Sequence, residues 1–364
     1  MAARRSPAAA PQQGANPWPG VSLRQQLPVP KASSSSQIEA GRFSVATHQA
    51  RADHGREASS PTEISKSGWK DILVRTWKEK ANDNLGLVAA GVAFYFLLAV
   101  FPAIGAFISI YGLMYDPAEA QQQMSDVMAV MPAEARDILQ AQIQQLAQRG
   151  GGTLGLSAVI GILLAIWSSM KGTSALMTAL NIVYDEQEDR GFVYLKFVTF
   201  LITFGAFVFV AASLALIAAA PAVLEHMGLG NWVETAIQYA RWPVLALLFM
   251  FLLAVLYRFA PSRSAPKWRW VTLGSVTGTI LWIVGSLLFS WYASNFGSYN
   301  ETFGSLGAVI LLLMWFYITA FIILLSGELN AEVEHQTKKD TTSDRKEPMG
   351  QRDAYVADTV GERH

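Results

Sequence analysis

The chain reads as an all-α, polytopic integral membrane protein with six transmembrane helices and an N-terminal interfacial helix. Three observations predict that class. Six long apolar stretches separated by polar loops lie between Gly86 and Leu329. The clearest, residues 305–325, runs SLGAVILLLMWFYITAFIILL without one charged side chain. About 20 such residues, rising about 1.5 Å each, match the roughly 30 Å hydrocarbon core of a bilayer. Finally, 52% of the 364 residues are hydrophobic, and the 15% that are charged gather at the ends and in the loops.

Residues 1–65 are rich in Ala, Ser, Pro and Gln and lack the apolar core of a signal peptide. Residues 335–364 are polar. Both segments are expected to be disordered, because they cannot bury enough apolar surface to offset the entropy of ordering. Between them lies the six-span membrane domain, residues 66–334. It opens on WKDILVRTWKEKA, in which Trp69, Ile72, Leu73, Trp77 and Ala81 share a helical face. Lys70, Arg75, Lys78 and Lys80 point elsewhere. Such a helix lies in the headgroup region or packs its apolar face on the bundle, and both readings stand.

The spans are predicted over residues 86–114, 154–173, 193–220, 242–260, 271–292 and 305–329. Pro102 in the first removes a backbone hydrogen bond and should kink the helix. A broken helix there either lines a pathway or is filled by its neighbours. Residues 116–152 form an outer helical excursion, with Asp116-Pro117 as its start. The second span keeps helical periodicity through Leu176, Leu180 and Val183, so its end protrudes. No internal repeat supports the inverted architecture of many transporters.

Lysine and arginine set the orientation. One side receives Lys66 to Lys80, Arg190, Arg258, Arg263, Lys267, Arg269, Lys338 and Lys339. The other has Arg136 and Arg149, with Arg241 at a span edge. This predicts a multi-pass protein of the bacterial inner membrane with both termini cytoplasmic. A net charge of zero argues against nucleic acid as a partner. With no cysteine, disulfides and thiolate metal sites are excluded.

Three stretches resemble a known family. Ala89-Ala90, Ala93-Phe94-Tyr95 and Phe101-Pro102 are similar to an AA…AFY…FP pattern; Asn181, Tyr184, Glu188 and Arg190 follow an N-x-x-Y…E-x-R spacing. Residues 298–332, SYNETFGSLGAVILLLMWFYITAFIILLSGELNAE, match a C-terminal signature almost throughout. Together they identify the YihY/BrkB family of bacterial inner-membrane proteins, some once labelled ribonuclease BN. The resemblance covers about residues 69–334 and implies a membrane-embedded fold but no agreed activity. Two departures are Lys171, where members often carry the planar fork of arginine, and Leu273, where proline is common.

A polar cluster is expected at the inner mouth of the bundle, built from Lys171, Asn181, Glu188, Arg190, Glu328 and Asn330. Lys171 or Arg190 should pair with Glu188 or Glu328, since unpaired charges at a membrane boundary are costly. The cluster serves either a pathway or the locking of the bundle. Lys171, about 17 residues from Leu154, falls near the inner interface, where it snorkels as an anchor or joins an ion pair. Tyr299, Asn300 and Glu301 are candidates for an outer mouth or for a cap on the last span. Gly274-x-x-x-Gly278 permits close helix approach, within the bundle or between copies.

No catalytic, cofactor or metal residues are assigned, and no cofactor is expected. The five histidines are scattered, and no H-x-x-x-H, G-x-S-x-G or phosphate-cradling glycine loop is present. A transporter or permease-like protein for a small solute, ion or lipid substrate is the leading expectation, with membrane lipids as partners. A transporter should present a cavity that reaches the midplane and faces Tyr95. The alternative is a non-transporting envelope scaffold or lipid-organising factor, packed solid. The legacy ribonuclease label finds no support, and the chain is expected not to be an enzyme.

Overall fold

The structure is a computed structural model that describes residues 54–114, 154–214, 216–217, 231–295, 305–343 and 346–364. The expected excursion at 116–152, the outer-mouth residues Tyr299, Asn300 and Glu301, and residues 1–53 lie outside it.

All long elements among the described residues are helices: α1 (Lys66–Asn82), α2 (Leu85–Met114), α3 (Leu154–Val183), α4 (Phe192–Leu214), α5 (Asn231–Phe259), α6 (Trp268–Asn295) and α7 (Ser305–Glu334). Four segments are long and apolar enough to cross a membrane: Phe192–Ser213, Tyr239–Phe259, Trp268–Ser294 and Val309–Glu334. The pair α1 and residues 85–100 of α2, bent by 63°, makes a fifth if counted as one span. The chain is therefore an all-α membrane protein. Helices α2 to α7 show no amphipathic stripe because lipid can take the place of a polar face.

Helix α7 sits at the centre, against α1, α2, α3 and α6, and α4 and α5 close the ring from α3 round to α6. The buried core, including Leu85, Met177, Leu180, Leu253, Tyr257 and Leu324, gathers where α2 begins and α3, α5 and α7 end. This end is called the base below.

Helix α1 starts at Ser65, whose side chain accepts a hydrogen bond from the Gly68 N–H, and stops at Asp83-Asn84, where Asn84 takes a left-handed φ of 52°. Its buried face is Gly68, Asp71, Ile72, Arg75 and Thr76, while Leu73 and Trp77 are exposed. The base takes Ile72 and part of Trp69 from the apolar face together with polar Asp71 and Arg75, leaving Leu73 and Trp77 exposed. Arg75, expected to point away, is buried.

The terminal segments differ from expectation. Described residues 54–65, 335–343 and 346–364 are folded onto the base. Ala58 and Ile64 pack with Ile72, Trp270 and Val333. Thr337 Oγ1 donates to the Ala58 carbonyl at 2.7 Å, and Gly361 N to the His335 carbonyl at 3.0 Å. Buried Arg352 donates to the carbonyls of Ala357, Lys338 and Glu347. Composition predicts disorder for a segment that must make its own core. Here the bundle supplies the buried surface, and hydrogen bonds supply the rest.

Candidate functional site

Two polar assemblies stand out. At the base, Asn181 at the end of α3 accepts from Ser262 N at 2.8 Å through Oδ1 and donates to Glu188 Oε2 at 3.1 Å. Glu188 receives a bidentate pair from Arg190, at 2.7 and 2.6 Å. Hydrogen bonds from Arg190 hold the Glu188 carboxyl below its usual range. Arg190 also reaches the Ala260 carbonyl at 2.9 Å, satisfying an acceptor just past the α5 end. Three predicted residues thus form one clasp from the α3–α4 loop to α5.

The acids of α7 find partners that the spacing did not suggest. Glu332 Oε2 accepts from Arg75 Nε at 2.5 Å, and Arg75 also donates to Gln336 Oε1 at 2.8 Å and to the Glu362 carbonyl at 2.8 Å. Glu334 pairs with Arg263, and both side chains are buried. Asn330 holds α7 to α6, accepting from Gly274 N at 2.7 Å and donating to the Val271 carbonyl at 3.2 Å. A Cβ on Gly274 would lie 2.4 Å from Asn330 Cγ and from the Ser326 carbonyl oxygen. The Gly274–Gly278 motif therefore packs α6 on α7 within this chain.

The expected pairing is met by Arg190 and Glu188, and Glu328 falls outside it. It is buried and has no salt bridge among the described residues, and its Oε2 lacks a hydrogen-bond partner. The guanidinium that reaches its neighbour Glu332 comes from α1, and Arg190 is committed to Glu188. Asp83, on the α1–α2 turn, lies close enough to feel Glu328; burial, and then the charges of Asp185 and Glu79, push its carboxyl up to about 7.

Lys171 is not part of the base at all. Its ammonium lies over the Trp167 ring at 4.0 Å, and the side chain is exposed. Counting from Leu154 misplaced it, because α3 runs unbroken to Val183. Lys171 is a dozen residues short of that end, about 18 Å at 1.5 Å per residue. The Thr203 to Thr173 hydroxyl bond at 2.8 Å sets the register of α3 against α4. That register places Lys171 beside the middle of the apolar segment Phe192–Ser213. A lysine beside an apolar segment is a functional candidate by default, and the anchoring alternative stands beside it.

Lys171 faces a groove of about 580 Å³ between α2, α3 and α4, lined also by Gly91, Tyr95, Trp167, Thr178 and Lys196. Above the groove, Pro102 is half-buried inside a continuous α2. Its missing N–H would leave the Leu98 carbonyl without a helical partner. Ser168 Oγ of α3 donates to that carbonyl at 3.3 Å, so a neighbour satisfies the break.

The family described as Virulence factor BrkB matches residues 76–351. The chain belongs to this family. It is similar to the ribonuclease-like protein YfkH of Bacillus subtilis, 30% identical over 69% of this chain and 90% of that protein. UPF0761 membrane proteins of Alteromonas mediterranea (26% identical, 76% of this chain and 92% of the relative) and Pseudoalteromonas atlantica (23%, 78% and 98%) are also similar. No solved structure matches the chain.

Proposed function

We propose that this BrkB-family protein is a permease-like transporter of the bacterial inner membrane, with α2 to α7 as six spans and both termini cytoplasmic. One observation carries the reading: a groove with polar side chains at mid-depth, Lys171 and Tyr95 among them, beside a tightly packed base. A scaffold gains nothing from an exposed ammonium inside the hydrocarbon region, where a charge costs several kcal/mol. The basic residues at the base support the sidedness.

The ribonuclease-like name of the Bacillus relative is not carried over to this chain. Arg75, Arg190 and Arg263 are engaged by Glu332, Glu188 and Glu334. A nuclease needs such cations free for phosphates.

The test is flux of ions, small solutes and labelled lipids across vesicles that contain the purified protein. Lys171-dependent movement of one class supports transport; none for any class supports a scaffold. Topology is tested separately on the cysteine-free chain. A Ser298→Cys variant should be labelled from the periplasmic side, and labelling from the cytoplasm alone overturns six spans.

A further inference from the structure

Two cations line the α2–α3–α4 groove at different depths. Lys196 lies four residues, about 6 Å, beyond Phe192 at the base end of α4, and Lys171 about 18 Å from the same end of α3. The two stations are therefore roughly 12 Å apart along the groove. Neither lysine makes a salt bridge or hydrogen bond with another described residue; each rests only on an aromatic ring, Lys171 on Trp167 at 4.0 Å and Lys196 on Phe192 at 5.6 Å. Among the acids of the base, Glu188 is paired with Arg190 and Glu332 with Arg75, and neither these nor Glu328, which makes no salt bridge among the described residues, line the groove. An ammonium at membrane depth normally pairs with an anion or lines a watery path. Here the chain supplies cations and hydroxyl groups, from Tyr95, Ser174 and Thr178, but no carboxylate. The remaining walls are apolar, with Val88, Val92, Ile182 and the Trp167 ring among them.

We propose that this groove binds an anionic glycerophospholipid, its phosphate held at one of two stations, Lys196 near the base or Lys171 at mid-depth, its acyl chains left against the apolar walls and the bilayer. The proposal rests on the transport reading only in making that lipid the substrate; binding stands on the charges alone. A free phosphate would use the same lysines without the apolar walls, so the two sources are separable. A shallow anchoring site for lipid would need Lys196 alone. Lys171 is what extends the track to the middle of the membrane.

The full-length protein in detergent is titrated with phosphatidylglycerol, phosphatidylcholine or inorganic phosphate, with bound lipid read by native mass spectrometry. Phosphatidylglycerol should bind at least about tenfold more tightly than phosphatidylcholine, the size of one charge-assisted contact. Lys171→Gln and Lys196→Gln should each weaken that preference and the double variant should abolish it, while Lys171→Arg with Lys196 intact should keep it, which a folding defect would not allow. Equal affinity for the two lipids, or an unchanged preference in both Gln variants, overturns the proposal. So does competition by millimolar inorganic phosphate, which would assign the site to a free anion. Lysine-dependent lipid binding without flux of any class in vesicles supports this site while defeating the transport reading. Flux of another solute with no lipid preference does the reverse.

Discussion

Arg75 shows how one side chain ties distant parts of the chain together. Its guanidinium meets Glu332 of α7, Gln336 just beyond it and the carbonyl of Glu362, and it is almost fully buried. Removing one member of a buried pair leaves the other charge uncompensated, at about 3–5 kcal/mol. Arg75→Met should therefore lower thermal stability steeply, while Arg75→Met with Glu332→Gln should recover part of the loss. An additive double variant in thermal unfolding would deny the coupling. Glu186, in the α3–α4 loop, gives a test by pH. Burial, the largest cause, pushes its carboxyl up to about 7, although it accepts the Tyr355 N–H at 2.7 Å. Unfolded, it titrates near 4.5. A raised acid favours the folded state below the unfolded value and loses that contribution as pH rises through the folded one. Glu186→Gln keeps an acceptor for Tyr355 and cannot ionise. Its stability relative to the parent should thus rise between about pH 4.5 and 7.5. A flat difference across that range would contradict the assignment.

At the scale of elements, helices α2 to α7 were legible because each contains a long apolar run, which no alternative fold can bury as well. The end of α3 was legible too, from Leu176, Leu180 and Val183, all buried in the core. The position of Lys171 against α4 was not, because it depends on the register of the two helices, and hydroxyl contacts such as Thr203 to Thr173 set that register. The same limit applies to Pro102. Sequence predicts a freed carbonyl, and only packing shows that Ser168 answers it. This makes a thermodynamic cycle. Ser168→Ala in the parent should cost about 1–2 kcal/mol by orphaning the Leu98 carbonyl. In a Pro102→Ala background a helical N–H takes over that acceptor, so the same change should cost a few tenths of a kcal/mol. Equal costs in the two backgrounds would mean that Ser168 does not serve the proline break.

For the whole molecule, the partners at the base are far apart in sequence: Arg75 and Glu332 are separated by 257 positions. Charge spacing within one helix cannot reveal such a pair, whereas the local trio Asn181, Glu188 and Arg190 came together and met the expected pairing through Arg190 and Glu188, with Glu328 left outside it. The terminal segments failed for the same reason. Their composition lacks a core, but the base offers them one, and the last residues interlock with it. Gly361 carbonyl accepts from Arg56 at 2.5 Å, Glu362 carbonyl from Arg75, and His364 N donates to Asp71 at 3.0 Å. Deleting residues 355–364 removes these contacts together and leaves Arg56 and Arg75 short of acceptors. Hydrogen bonds to charged groups contribute about 1.5–3 kcal/mol each, less where water replaces the partner. The truncated protein should lose about 2–4 kcal/mol of stability, and amide exchange should quicken in α1 before α5 or α6. Unchanged melting and unchanged α1 exchange would return this segment to the solvated tail that its composition suggests.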